Sequence, residues 1–307
     1  MTKHILAAIA VVVVLGGIGY VARARLFQTS SAAISPDKPA AVVEMAVATP
    51  PPPRPHDEAP ATVVLEVDGR AERLDGTTWA PLAAHARLTP QDTIRTGDGA
   101  HVRIQSGASS IELGDRSEIR VGEMSTTVAE YMLDRGRVSA AVNAPTTRIR
   151  VLTRNDAIAE ASAGRFAVLQ SDAKHATVAA QAGSVNVRAG GRSVDVNVGE
   201  QTVVAANAAP STPMKIPGSL FLKVGEVVEH GNVGTIRGET APGARLAIGG
   251  KDVAADASGQ FSTPISLSTG DNVIVLVVDD ADGRAQRRVI HYSVARGPQV
   301  DARVQWK

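Results

Sequence analysis

Past Ala61 the apolar residues recur at every second position, and this period constrains the fold more than any other feature of the chain. Val102 and Ile104 alternate with His101, Arg103 and Gln105. Ile111 and Leu113 flank Glu112, and Ile119 and Val121 flank Arg120. Farther on, Ile149 and Val151 alternate with Arg148 and Arg150, Val185 and Val187 with Asn186 and Arg188, and Val194, Val196 and Val198 with Asp195 and Asn197. Successive strand residues point to opposite faces, so each run predicts a strand with one face buried and one wet. Asp68-Gly69, Asp75-Gly76, Asp98-Gly99, Gly114-Asp115 and Gly190-Gly191 supply the intervening turns. Strands at such spacing argue a sandwich, barrel or solenoid. Aromatic residues make up only 3% of the chain, so its cores must be built from Val, Ile, Leu and Ala.

A break at Pro210, Pro213 and Pro217 precedes a second set of short runs. Strands are expected at 234–238, 244–248, 260–267, 272–278 and 285–294, separated by tight turns. Limited proteolysis is expected to cut first at the break, with few contacts crossing it.

The N-terminus is different in kind. From Ile5 to Ala22 no charge interrupts the apolar run. Roughly 18 residues give roughly 27 Å of helix, close to the hydrocarbon thickness of a bilayer. We expect an uncleaved anchor with the rest of the chain outside the cytoplasm. The alternative is a signal peptide cleaved at Ala22-Arg23-Ala24, which leaves a soluble periplasmic or secreted protein. Pro36, Pro39, Pro50 to Pro53, Pro55 and Pro60 then mark residues 28–61 as an extended tether, because proline fixes φ and lacks a donor.

Several local patterns in the first β region resemble the FecR domain family. They are Trp79-Ala80-Pro81-Leu82, Asp92-Thr93-Ile94-Arg95-Thr96-Gly97 with Gly99, the run from Ile111 to Val121, Leu133-Asp134-Arg135-Gly136-Arg137-Val138, and Phe166 in the strand that follows Gly164. Gln91 stands where the family usually has glycine, and Gly164-Arg165 replaces a Gly-Thr pair. The resemblance spans about residues 63–204 and implies a periplasmic all-β domain that senses or relays a signal at the envelope. Its best-known members carry a cytoplasmic anti-sigma segment ahead of the membrane helix. Here only Met1 to His4 precede Ile5, so direct control of a sigma factor is not expected. The second unit is similar to bacterial Ig-like domains, including the accessory module of glucodextranase. Gly238 to Ala244, Asp256 to Phe261, Gly270-Asp271-Asn272 and His291 to Val294 carry that likeness, which implies a spacer or adhesion unit.

The sequence offers no recognisable catalytic or metal-binding motif. The chain has no cysteine, which excludes disulfides, thiolate nucleophiles and Cys-bound zinc. Its net charge of +1 offers no footprint for nucleic acid. His4, His56, His85, His101, His175, His230 and His291 never fall at helical metal-pair spacing. Asp279, Asp280 and Asp282 before Gly283 lack the downstream glutamate of a calcium loop and read as a solvated hairpin turn. Trp79, Tyr131, Phe166, Phe221, Phe261, Tyr292 and Trp306 never stand two apart on one strand face, which disfavours a stacking platform for sugars. Polar recognition by the outward Arg, Asp and Asn rows is left open.

The expected fold is therefore all-β: a FecR-like β domain (solenoid or sandwich) and an Ig-like β-sandwich, preceded by one transmembrane helix and a Pro-rich linker. The expected limits are a membrane segment at 1–27, a linker at 28–61, the FecR-like domain at 62–207, a linker at 208–224, the Ig-like module at 225–296 and a tail at 297–307. We expect no enzyme, no catalytic, cofactor-binding or metal residue, and no cofactor. The expected role is a non-enzymatic scaffold or binding protein of the inner membrane, held through residues 5–22, with its folded domains in the periplasm. Its partner would be an envelope protein or cell-wall polymer. A signal-relay subunit working with a separate cytoplasmic regulator is the alternative, and an accessory to a polysaccharide-acting system is a more distant one.

Overall fold

A computed structural model describes residues 61–143, 146–171, 175–256 and 258–295. The expected membrane segment at 5–22, the expected linker at 28–60 and the expected tail at 297–307 lie outside the described residues, as do His4, His56 and Trp306. All described residues fall within one compact unit. They contain strands and no helix, and hence no helix long and apolar enough to cross a membrane.

The first region is a sandwich of two sheets. One runs Arg87–Leu88, Thr62–Asp68, His101–Ser106, Ser109–Leu113, Val128–Val142, Gly164–Ser171, His175–Ala182, Glu200–Ala205, Met214–Lys215, with every neighbour antiparallel. The other runs Thr78–Pro81, Ala71–Asp75, Thr93–Thr96, Glu118–Met124, Val128–Val142, Arg148–Thr153, Ile158–Ala161, Ser184–Ala189, Arg192–Asn197. There only Val128–Val142 and Arg148–Thr153 pair in parallel.

The alternating residues meet between the sheets, as their period requires. Val102, Ile104, Ile111, Leu113, Ile119, Val121, Ile149 and Val151 are fully buried in one core with Tyr131 and Phe166. Val198 departs from its expected row: it lies in the turn after Asn197 and is 61% exposed.

Strand Val128–Val142 belongs to both sheets and splices them. Ala129, Tyr131 and Leu133 point inward from its first half, whereas Val138, Ala140 and Val142 point inward from its second. The inward set therefore passes from odd to even positions. The extra residue sits where the ladder slips, between Glu118 opposite Arg135 and Ile119 opposite Leu133. Such a bulge bends a strand and re-aims its side chains. Gly136 permits it, with φ at 87°, and a Cβ there would collide with Ser117.

The Gly114-Asp115 turn moves one residue on, and the positive φ of 48° falls on Arg116. Gln91 keeps a φ of 81°, the conformation of the glycine it replaces.

The C-terminal region has its own core, around Ile236, Leu246, Phe261, Leu276 and Val278. Its first sheet is Leu222–His230, Val233–Thr240, Gln260–Ser266, and its second is Lys251–Val253, Arg245–Ile248, Gly270–Asp279, Ala285–Val294. The five expected strands lie within these sheets; Leu222–His230 and Lys251–Val253 were not foreseen.

Two expectations about the join are corrected. Residues 208–224 are not a bare linker: Met214–Lys215 extends the first sandwich sheet, and Leu222 pairs with Thr240. Nor is the join sparse in contacts. Thr177 Oγ1 donates to Gly243 O at 2.7 Å, Gln201 Nε2 to Pro242 O at 2.9 Å and Arg137 Nε to Ala281 O at 2.8 Å. The cause lies in the strands Gly164–Ser171 and His175–Ala182, which are buried on both faces. Phe166, Val168, Val178 and Ala180 face the core, while Ala167, Leu169 and Ala179 pack outward against Ala281 and Ile216.

The turn at 279–283 is consequently buried over Asp279 to Ala281 and meets solvent only at Asp282 and Gly283. Ala281 is 1% exposed, and Asp279 and Asp280 are buried. Asp279 pairs with Arg245 at 2.9 Å, and Asp280 with Arg284 at 2.7 Å. Burial pushes the Asp279 carboxyl up, against the opposing pull of Arg245.

Candidate interaction surface

The first sheet of the sandwich is partly covered on its outside by the C-terminal region. The outer face of the second sheet carries polar side chains in two cross-strand rows. Each member is an outward residue of an alternating strand, so each row follows from strand period plus pairing register.

In the first row Glu72, Arg95, Glu118 and Arg135 stand opposite one another on four neighbouring strands. Arg95 reaches Glu72 at 2.6 Å, and Arg135 reaches Glu118 at 3.2 Å. The Arg95 guanidinium also lies 3.9 Å from the centre of the Trp79 ring, a cation–π contact.

The second row is Glu130, Arg150, Glu160, Asn186 and Asp195, on five neighbouring strands. Arg150 bridges Glu130 at 3.2 Å and Glu160 at 2.8 Å. Arg148 and Arg188 add contacts to Glu160 at 3.5 and 3.4 Å. Asn186 Nδ2 donates to Asp195 Oδ1 at 2.7 Å. Partial burial alone would raise the Glu160 carboxyl, but the Arg150 hydrogen bonds and the three guanidinium charges outweigh it and hold the group below the usual carboxylate range. Beside this row lies an open groove of about 470 Å³, lined by Thr146, Arg148, Glu160, Ala161, Ser162, Ser184, Asn186 and Asp195.

The outward arginines read from the sequence do not all gather here. Arg148, Arg150 and Arg188 meet around Glu160, whereas Arg120 stands 3.8 Å from Asp134 and Arg103 pairs with Glu66 at 3.2 Å on the other sheet. His85, His101, His230 and His291 are exposed, and His175 is buried. Burial lowers the His175 pKa, against a hydrogen bond with the Ala244 backbone and the Asp252 charge. No group of three or more metal-ligating side chains occurs among the described residues. Tyr131, Phe166 and Phe261 are core residues, and Tyr292 donates to Glu229 at 3.0 Å.

The Glu72 and Glu160 carboxyls, held below the usual carboxylate range by hydrogen bonds and charge from neighbouring guanidinium groups, stay ionised and accept hydrogen bonds. They are poor proton donors near neutrality, where a general acid must hold its proton. The face is thus equipped for polar recognition. Sequence reading found that Arg148, Arg150, Asn186, Arg188 and Asp195 point outward, but it did not place Glu130 or Glu160 beside them or show that the row lines up. The missing information was the neighbour order, because the pairing of Ile158–Ala161 with Ser184–Ala189 joins segments far apart in the chain.

Residues 92–208 match the family model described as FecR protein. Two crystal structures, at 2.50 and 1.65 Å resolution, of a "putative anti-sigma factor" from Parabacteroides distasonis ATCC 8503 are similar to this chain. Each is 17% identical with a TM-score of 0.36; the matches cover 40% and 42% of this chain, and 59% and 60% of those chains. The chain therefore spans about three fifths of the length of the structures it matches. No curated protein matches it. The second polar row, from Glu130 to Asp195, lies wholly within residues 92–208, which are similar to the FecR family.

Proposed function

We propose that this chain is a non-enzymatic relay subunit of the FecR type. Its FecR domain receives a partner outside the cytoplasm, and the event is passed to a separate cytoplasmic regulator. The observation that carries the reading is the family match over residues 92–208, which contains the whole charged row on the outer sheet. That match favours relay over the pure scaffold expected from sequence. In this reading residues 5–22 hold the chain in the inner membrane and the β domains stand in the periplasm. The C-terminal region, read as an Ig-like module, fixes the orientation of the first sheet and leaves the second free for the partner.

Transcript profiles test this. A strain lacking the chain should shift a defined set of transcripts, and the unaltered chain should restore them. Unchanged transcripts, together with loss of an envelope assembly, would make the protein a scaffold instead.

A further inference from the structure

The sandwich has four sheet edges among the described residues, and three are blunted. Two end in the two-residue strands Arg87–Leu88 and Met214–Lys215. A third is the four-residue Thr78–Pro81, which ends in proline. Short strands and proline are the usual protections of an edge. The fourth edge, Arg192–Asn197, has six residues without proline or lysine, and its ladder with Ser184–Ala189 has no bulge.

The turn between those two strands shows which backbone groups are open. Gly190 and Gly191 have φ of 54° and 73°, the two left-handed residues of a type I′ hairpin. The flanking pair, Ala189 and Arg192, is then hydrogen-bonded, and so is every second pair beyond it. Arg192, Val194 and Val196 bond back into the hairpin. Ser193, Asp195 and Asn197 turn their N–H and C=O groups to the open side. The Asn197 amide agrees with this phase, donating to Glu200 Oε2 at 3.1 Å. Ser193 and Asp195 are both exposed.

The side chains add a sign. Along the row the charges run Glu130, Arg150, Glu160, then neutral Asn186, then Asp195. Asp195 ends the row on an acid, held by the Asn186 amide and by no cation among the described residues. The next strand position in the sheet is where a cation would stand.

We propose that Arg192–Asn197 takes up an extended strand of another protein, hydrogen-bonded to the backbone of Ser193 and Asp195, with a lysine or arginine opposite Asp195. Its long side chain would lie toward the groove that Asp195 lines. A second copy of this edge suits the position poorly. In the in-phase antiparallel registers it would set Ser193, Asp195 or Asn197 opposite Asp195, and none of these is a cation. The proposal goes beyond the relay reading, because it concerns how a partner is held and stands whether or not transcription responds.

The test uses the full purified chain and the capped synthetic peptide Ser-Thr-Val-Lys-Val-Thr-Ser, compared with the same peptide carrying Glu for Lys. In the free chain the amides of Ser193 and Asp195 should exchange hydrogen freely while those of Val194 and Val196 are protected. The Lys peptide should bind and protect Ser193 and Asp195, and the Glu peptide should bind about fivefold more weakly or worse. Asp195→Asn should remove most of that discrimination. Ser193→Pro deletes an outward amide without touching the hairpin ladder, so it should melt like the parent and lose the peptide. Protection of Ser193 and Asp195 in the free chain, equal binding by Ser193→Pro, or no binding of the Lys peptide at millimolar concentration would each overturn the proposal. A dimer of the parent that Ser193→Pro dissolves would overturn it in favour of a second copy.

Discussion

Ile119 and Arg120 are adjacent and face opposite worlds. Ile119 is fully buried, opposite Ile94 on one side and Leu133 on the other, while the Arg120 side chain is 47% exposed. Ile119→Asp would bury a carboxylate in an apolar layer and should cost several kcal/mol, out of a domain stability of about 5–15. Arg120→Asp loses only a 3.8 Å contact with Asp134 and should change stability by about 0.5 kcal/mol. Thermal melts of the two variants separate these outcomes; an unfolded Arg120→Asp beside an unaffected Ile119→Asp would show the faces reversed. This contrast was legible from the sequence, because a period of two assigns neighbours to opposite faces. Other residues were not legible. The Tyr131 hydroxyl lies beside Ser106 and Thr62, residues remote in the chain, and burial pushes it up to about 12.

At the scale of elements, the second polar row converts strand pairing into a pH response. The folded-state pKa of Glu160 lies below its ordinary 4.5, so its contribution is complete above pH 4.5 and is lost as pH falls through the folded value. Glu160→Gln should therefore be less stable than the parent near neutrality, with the gap closing on acidification below pH 4.5. Denaturant midpoints across that range measure it, and a gap independent of pH would mean that the ion pairs contribute nothing. The hairpin of Ser184–Ala189 with Arg192–Asn197 was readable from its Gly190-Gly191 turn, whereas that of Arg148–Thr153 with Ile158–Ala161 turns through 154–157 without a glycine to mark it. Leu222–His230 was missed because its register shifts between Val224 and Val227, which breaks the alternation that reveals a strand. Lys251–Val253 is three residues long and too short to show a period.

At the scale of the whole molecule, the two cores meet through the turn at 279–283. We propose residues 62–207 and 225–296 as the folding units, joined by this contact rather than by a shared core. Ala281→Arg would force a charged side chain against Ala167, Leu169 and Ala179. It should leave both cores intact yet open the join, so that limited proteolysis between Ala205 and Leu222 accelerates and a single melt separates into two. Unchanged proteolysis and one unchanged transition would show that the join does not depend on the turn. The doubly buried strands did leave a signal in the sequence. Ala167, Val168 and Leu169, and Val178, Ala179 and Ala180, are unbroken apolar runs rather than alternating ones, as expected for strands covered on both faces.

The sequence by itself determined the all-β class, most strands and turns, and which side of the alternating strands is buried. These follow from short-range rules: a side-chain period of two, and turns that need particular residues. It also carried the FecR likeness, whose motifs are local. Only the tertiary structure decided which strands are neighbours, and hence that Glu130, Arg150, Glu160, Asn186 and Asp195 form one row. It alone decided that Asp279 to Gly283 is a docking turn, because burial depends on what packs across from a segment, and a face of one strand is hidden or open according to a distant part of the chain.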